Sequence, residues 1–262
     1  MINMADKTIN EKIEDLGTRI INCDEKCDGV YSKNDDRKNG RYPACPFLDP
    51  KGATKIDVLI LGINPGPSSN LQMEFYKALA ERNAENIATY KDWRRIMDAL
   101  DKDIEYFKRP RHLLDELKII KKDNTNGILW AEIFYCEKKN GIPKETFEKC
   151  SKKCSKYLNE ILELVPKGKH ILCLGDTAFE RIKTYVKNGN KWKVIGIDHP
   201  TRRYSTFFKY FEEKEDKDEE KLQDRKIRSE FVEELKRDEK KNDYLINFLW
   251  DKVSNTLKVE KP

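Results

Sequence analysis

The chain has 262 residues, 38% hydrophobic and 38% charged, with 52 basic against 47 acidic side chains and a net charge of +5. That length accommodates one large domain or two small ones, and the near balance of charge makes the basic excess only a weak pointer to a polyanionic partner. No apolar run is long enough for a membrane span, and the N-terminal residues carry no signal-peptide core, so a cytoplasmic protein is expected.

In chain order, Ile9, Ile13, Leu16 and Ile20 recur at helical spacing and predict a helix over 6–22. The segment 28–54 is rich in Gly, Asn, Asp and Pro and reads as loop. Lys55–Leu61 is a buried strand that runs into the turn Gly62-Ile63-Asn64-Pro65-Gly66-Pro67. Residues 71–100 read as helical with a polar interruption around 83–86, Pro110 breaks the chain, and a short helix is expected over 111–120. Gly127–Tyr135 is a second strand. Pro143 opens a helix over Lys144–Leu164, with Glu145 in its first turn.

Lys169–Leu174 is the third strand, and Gly175-Asp176-Thr177 turns into a helix ending near Val186. Trp192–Ile197 is the fourth, and it ends in Asp198-His199-Pro200-Thr201-Arg202-Arg203. Residues 204–235 are dominated by charge, above all Glu212–Lys221, and are expected to be mostly helical. An amphipathic segment at 243–257, with Leu245, Phe248, Leu249 and Val253 on one face, would close the fold as a helix.

Strands alternating with helices predict an α/β fold, a three-layer α/β/α arrangement around a four-stranded, mainly parallel sheet. The whole chain, 1–262, reads as one domain with a charged helical C-terminal extension over about 205–262. The two polar turns both follow apolar strands, so both belong at the carboxyl edge of the sheet, where open α/β folds build their sites.

Seven cysteines in a cytoplasmic chain point away from disulfides. Cys173 lies inside a strand and reads as a core residue. The others form two groups: Cys23, Cys27 and Cys45, and then Cys136, Cys150 and Cys154. Cys150 and Cys154 stand at i, i+4 on a predicted helix, a spacing compatible with zinc. Metal binding and simple burial of free thiols are both open on spacing alone.

The order of elements over about 15–205 resembles the uracil-DNA glycosylase superfamily. Gly62-Ile63-Asn64-Pro65-Gly66 is similar to the first motif of its mismatch-specific branch, and Pro67 to that of the single-strand-selective branch. His199-Pro200-Thr201 resembles the second motif of the uracil-specific branches. Leu172-Cys173-Leu174-Gly175 with Ala178 resembles the strand and turn before that motif in the iron–sulphur members.

The resemblance implies a monofunctional DNA glycosylase of base-excision repair, expected as a monomer, that flips and releases uracil or another deaminated or damaged base. A non-catalytic member that binds nucleic acid or a nucleotide is the alternative, and a zinc-stabilised nucleic-acid-binding domain a more distant one.

The chemistry agrees with the residue types. Breaking an N-glycosidic bond leaves a cationic sugar and an anionic base, so a water must be held at the sugar and a donor aimed at the base oxygen. Asn64 can hold a water through its amide carbonyl without acting as a strong base. His199 can donate to the base oxygen as a neutral imidazole.

By resemblance, Gly62, Ile63, Pro65 and Gly66 shape the base pocket, and Phe75 or Tyr76 supplies a stacking platform, Phe75 being preferred. Ser68, Ser69, Thr201, Arg202, Arg203 and Tyr204 contact DNA, the last three as wedge and phosphate contacts. The family's base-reading Asn, four residues before a cluster cysteine, falls at Glu132 here. An ionised Glu only accepts hydrogen bonds, which disfavours O4 of uracil; the other reading is a shifted register that leaves Glu132 in solvent. The resemblance also implies a [4Fe–4S] cluster on Cys23, Cys27, Cys136 and Cys150, with C-x3-C where the family has C-x2-C. Cys45 or Cys154 could replace one ligand, and zinc or no metal are the alternatives.

Overall fold

The computed structural model describes residues 7–25, 27–28, 30–31, 39–63, 65, 73, 76–77, 89–100, 107, 110–111, 114, 126–139, 144–186, 192–197, 199, 207–212 and 223–226. Helix α1 spans Ile9–Ile21. It starts where Thr8 accepts from the Glu11 amide while the Glu11 carboxylate accepts from the Thr8 amide, a capping box that satisfies two N-terminal donors. Its buried face holds Ile13, Leu16 and Ile20 of the predicted stripe together with Ile21, while Ile9 is only partly buried.

The remaining elements are β1 (Phe47–Asp49), β2 (Lys55–Gly62), α2 (Tyr90–Leu100), β3 (Asn126–Glu132), α3 (Lys144–Leu164), β4 (His170–Leu174), α4 (Asp176–Val186), β5 (Lys193–Ile197), β6 (Phe207–Glu212) and β7 (Gln223–Lys226). They form an α/β fold on one mixed sheet in the order β1-β3-β2-β4-β5-β6-β7. The four central strands, β3-β2-β4-β5, are parallel and are the four read from the sequence. The outer pairs are antiparallel.

Three expectations are corrected. Among the described residues the sheet has seven strands, not four. The segment 28–54 is not all loop, because Phe47–Asp49 pairs with Ile128–Trp130 at the edge; three residues are too few to show a period. The described parts of 204–235, Phe207–Glu212 and Gln223–Lys226, are strands and not the expected helix. Phe207, Phe208, Tyr210 and Phe211 carry strong strand preference, and β6 finds an open edge on β5 to pair with. The second strand also stops at Glu132 rather than Tyr135. Residues 213–222, the expected helix over 243–257 and most of 111–120 lie outside the described residues.

Val58, Leu59, Ile60 and Leu61 are all fully buried, as are Ile171 through Leu174. Successive strand residues point to opposite faces, so both faces of the central sheet are covered. Helix α4 packs on β4, β5 and β6, whereas α1 packs on α2, β1 and α3. Gly17 makes the α1–α2 approach possible, because a Cβ there would fall 2.2 Å from the Tyr90 ring. Arg19 reaches from α1 to Glu160 on α3 through a pair of hydrogen bonds, and the Tyr157 hydroxyl donates to Arg19 O. These contacts hold the end of α1, and the cysteines that follow it, against α3. Among the described residues no helix is long and apolar enough to cross a membrane.

Candidate functional site

The chain leaves β2 for β3 on one side, and leaves β4 for β5 on the other. The connections therefore diverge between the carboxyl ends of β2 and β4, and such a switch point leaves a crevice outside the sheet. Gly62 and Ile63 stand at the end of β2 on one side of it, and Gly175 at the end of β4 on the other. Gly62 ends β2 opposite Glu132 at the end of β3. The pairing continues past the strands, because Ile133 N–H donates to Gly62 O at 3.0 Å and Phe134 N–H to Ile63 O at 2.9 Å.

On the other side, Gly175 N–H donates to Ile197 O at 2.7 Å, which ties the β4 turn to the end of β5. Gly175 has φ +96°, a conformation that disfavours any side chain. A Cβ on it would stand 3.6 Å from the Ile63 side chain, so the two turns pack together at the switch point. His199 lies two residues beyond the end of β5 and is half-buried. With neighbouring strands about 4.8 Å apart, β2 and β5 are separated by about 10 Å across β4, the scale of one nucleoside.

Glu132 is half-buried, with one carboxylate oxygen fully buried. Pro65 is half-buried. Tyr76 is only 1% exposed, with its ring 4.7 Å from that of Tyr42, so it packs in the core and is no open platform. Asn64, Gly66, Ser68, Ser69, Phe75, Thr201, Arg202, Arg203 and Tyr204 lie outside the described residues.

The cysteines converge beside this edge. Cys27, Val30 and Cys150 form a small buried cluster of their own, with Cys136 packed on it. The Cys150 thiol donates to Asp28 O at 3.1 Å. The loop carrying Cys27 is fastened to the segment after Cys136 by the Tyr31 amide, which donates to Glu137 O at 2.9 Å, and by a bridge between Val30 and Lys138. Arg41 clamps the same place, ion-paired to buried Glu137 and lying 4.1 Å over the Tyr31 ring.

Burial first, and then the neighbouring Cys150 and Cys154, push the Cys27 thiol up to about 12. Burial likewise pushes Cys154 up to about 11, with Cys23 and Cys150 adding to it, while a hydrogen bond from the Tyr135 backbone amide to its sulphur acts in the opposite sense. Cys23 follows α1 and is hydrogen-bonded with the Tyr157 side chain, whose own ionisation is pushed up mainly by burial. Cys45 packs in the main core; its thiol donates weakly to Gly17 O and Pro43 O, and burial, then the neighbouring Cys136, raises it well above the ordinary thiol value. Cys173 is fully buried in β4, as its strand context predicts.

Among the described residues, which include all seven cysteines, no disulfide forms and no group of three or more His, Cys, Asp or Glu is arranged to hold a metal ion. Four thiolates around one zinc would stand only about 3.8 Å apart, from a Zn–S distance of about 2.3 Å. The donor set fits an all-thiolate polynuclear group in kind: Cys27, Cys136 and Cys150 come from three segments to one apolar place, with further thiols beside them. The spacing read ahead of the fold did not single out Tyr135, whose amide reaches Cys154, or Arg41, whose clamp holds the Cys27 loop. The i, i+4 spacing of Cys150 and Cys154 was the available signal for the first; nothing local marked the second. No family profile matches this chain, and no curated protein sequence does.

Proposed function

We propose that this protein is a DNA glycosylase with the three-layer architecture of the uracil-DNA glycosylase superfamily, releasing a flipped, deaminated or damaged base. The observation that carries the proposal is the switch point itself. Glu132 pairs with Gly62, Ile63 packs on the Gly175 turn, and that turn is hydrogen-bonded to Ile197, two residues before His199, although these residues come from opposite ends of the chain. In this reading Asn64, directly after Ile63, holds the attacking water through its amide carbonyl. His199 donates to the oxygen of the departing base and stabilises its negative charge, while the loop from Thr201 to Tyr204 contacts the DNA backbone and fills the gap.

A [4Fe–4S] cluster on Cys27, Cys136, Cys150 and one further thiol belongs to the same proposal. When bound, such a group is a covalent staple between the N-terminal loop and the sheet. The residues themselves hold the loop in place for it through Arg41, Glu137 and Tyr31.

Glu132 favours a second reading, a member that binds a nucleobase without cleaving it, because a carboxylate at the end of β3 selects a base edge with an amino donor. The test is a glycosylase screen over oligonucleotides carrying uracil, hypoxanthine, xanthine or mismatched thymine, scored by alkali cleavage. Base release that falls by roughly 10²–10³ in His199→Ala supports the catalytic role of that donor. Asn64→Ala should lower turnover far more than DNA binding. Binding without release by the wild-type protein on every base supports the second reading. Full release by both variants defeats the site.

A further inference from the structure

We propose that a cavity at the amino edge of the sheet, the edge opposite the crevice described above, binds an organic monocation with an apolar body. The chain leaves α3 at Leu164 to enter β4 at His170, and leaves α4 at Val186 to enter β5 at Lys193. These connections bring the carboxyl ends of both helices to the same edge. A cavity of about 550 Å³ opens there, inside the range of about 300–1,000 Å³ usual for small-molecule sites. Its wall is apolar and aromatic: Leu162 in the last turn of α3, Val165 just past it, Tyr185 in the last turn of α4, and Trp192 directly before β5. The Trp192 indole N–H donates to Val165 O at 3.3 Å, which fixes the ring against the end of α3.

Charge decides what such a wall accepts. Glu163 and Lys167 are the two charged residues of the lining, both exposed, and their formal charges cancel. What remains is the helix ends, each equivalent to about half an elementary negative charge. Lys183 in the last turn of α4 answers one of them, whereas the last turn of α3 contains no basic residue. The ring faces of Tyr185 and Trp192 add further negative potential. An anion would need donors that this end of α3 has already spent. The Val165 amide donates to Leu162 O at 3.2 Å, the Trp192 indole to Val165 O, and Pro166 carries no N–H. An alkyl- or arylammonium ion fits the arrangement: its body lies on the apolar wall and its charge meets Glu163 and the α3 carboxyl end.

The experiment is calorimetric titration of the full chain with three probes of one shape and different charge: 2-phenylethylammonium, 2-phenylethanol and 3-phenylpropionate. The ammonium should bind at least about fivefold more tightly than the alcohol, and the propionate most weakly. Glu163→Gln should weaken the ammonium by about threefold and leave the alcohol unchanged, while Lys167→Gln should tighten the ammonium by a similar factor. Both positions are exposed, and far-UV circular dichroism confirms that the variants are folded. Equal binding of ammonium and alcohol, tightest binding of the propionate, or no binding of any probe overturns the proposal. So does an ammonium affinity that neither variant changes, because the probe then sits elsewhere on the chain. None of these outcomes bears on the crevice at the carboxyl edge, which keeps its own screen.

Discussion

Replacing Gly17 by Ala should destabilise the protein, although Ala is the better helix former. Gly17 lies inside α1, where Gly→Ala in an exposed helix would gain about 1 kcal/mol. Here the added methyl would fall 2.2 Å and 2.3 Å from two carbons of the Tyr90 ring. The ring has little room to yield, because it stacks on Trp93 at 5.8 Å and its hydroxyl donates to Pro46 O at 3.0 Å. Overpacking costs about 1–3 kcal/mol, and displacing the ring loses a buried hydrogen bond worth about 1 kcal/mol. The net expectation is a loss of about 1–3 kcal/mol, which for a chain of this length lowers Tm by about 2–4 °C per kcal/mol. Because α1 leads into the cysteine loop, Gly17→Ala should also weaken retention of the iron of the proposed cluster. Urea unfolding followed by circular dichroism measures the first effect. An unchanged or raised midpoint would refute the close approach of α1 to α2.

Burial raises the folded-state ionisation of the Cys173 thiol, while in the unfolded chain it ionises near pH 8.5. Its contribution to stability is therefore fully present below about pH 8.5 and is lost as pH rises toward the folded value, at up to about 1.4 kcal/mol per pH unit. Urea unfolding between pH 9 and 10.5 under reducing conditions should show a shallower fall for Cys173→Ala, and equal slopes would count against it. Lys169→Met should cost about 1–2 kcal/mol, since it strands buried Asp57, bonded to Lys169 at 2.6 Å, with solvent at the half-exposed lysine limiting the loss. The check is again a urea midpoint compared with that of Asp57→Asn. Glu132→Asn should improve release of uracil relative to the wild-type chain, because an amide both donates and accepts. Single-turnover cleavage of uracil against hypoxanthine would expose an unchanged preference and so exclude Glu132 from the base pocket.

The central fold was legible because its determinants are local. Val58–Leu61, Ile171–Leu174 and Val194–Ile197 are short apolar runs that only a doubly covered sheet accommodates, and each ends in a turn of Gly, Asn or His. The helix Lys144–Leu164 was readable to the residue because Pro143 marks its start. The edges were not legible. Phe47–Asp49 becomes a strand only because Ile128–Trp130 offers it an edge, and Phe207–Glu212 because β5 does. A strand's pairing partner is not a local property, and the charge surrounding 207–212 hid its aromatic residues.

For the site, the sequence by itself determined the residue types: a Gly-Ile-Asn-Pro-Gly turn, a His-Pro-Thr turn and six cysteines in two groups. Their chemistry follows from which side chains donate, accept or bind metal, and needs no coordinates. Tertiary structure alone decided which of them meet. Strand order put Glu132 beside Gly62 and brought the Gly175 turn onto Ile63. Packing of α3 and the Cys27 loop gathered Cys27, Cys136 and Cys150 into a cluster of their own, and left Cys23, Cys45 and Cys154 with the main core. The physical reason is that a side chain's chemistry is covalent and travels with the residue, whereas proximity between residues more than a hundred positions apart is fixed only by the sheet order and helix packing that close the chain.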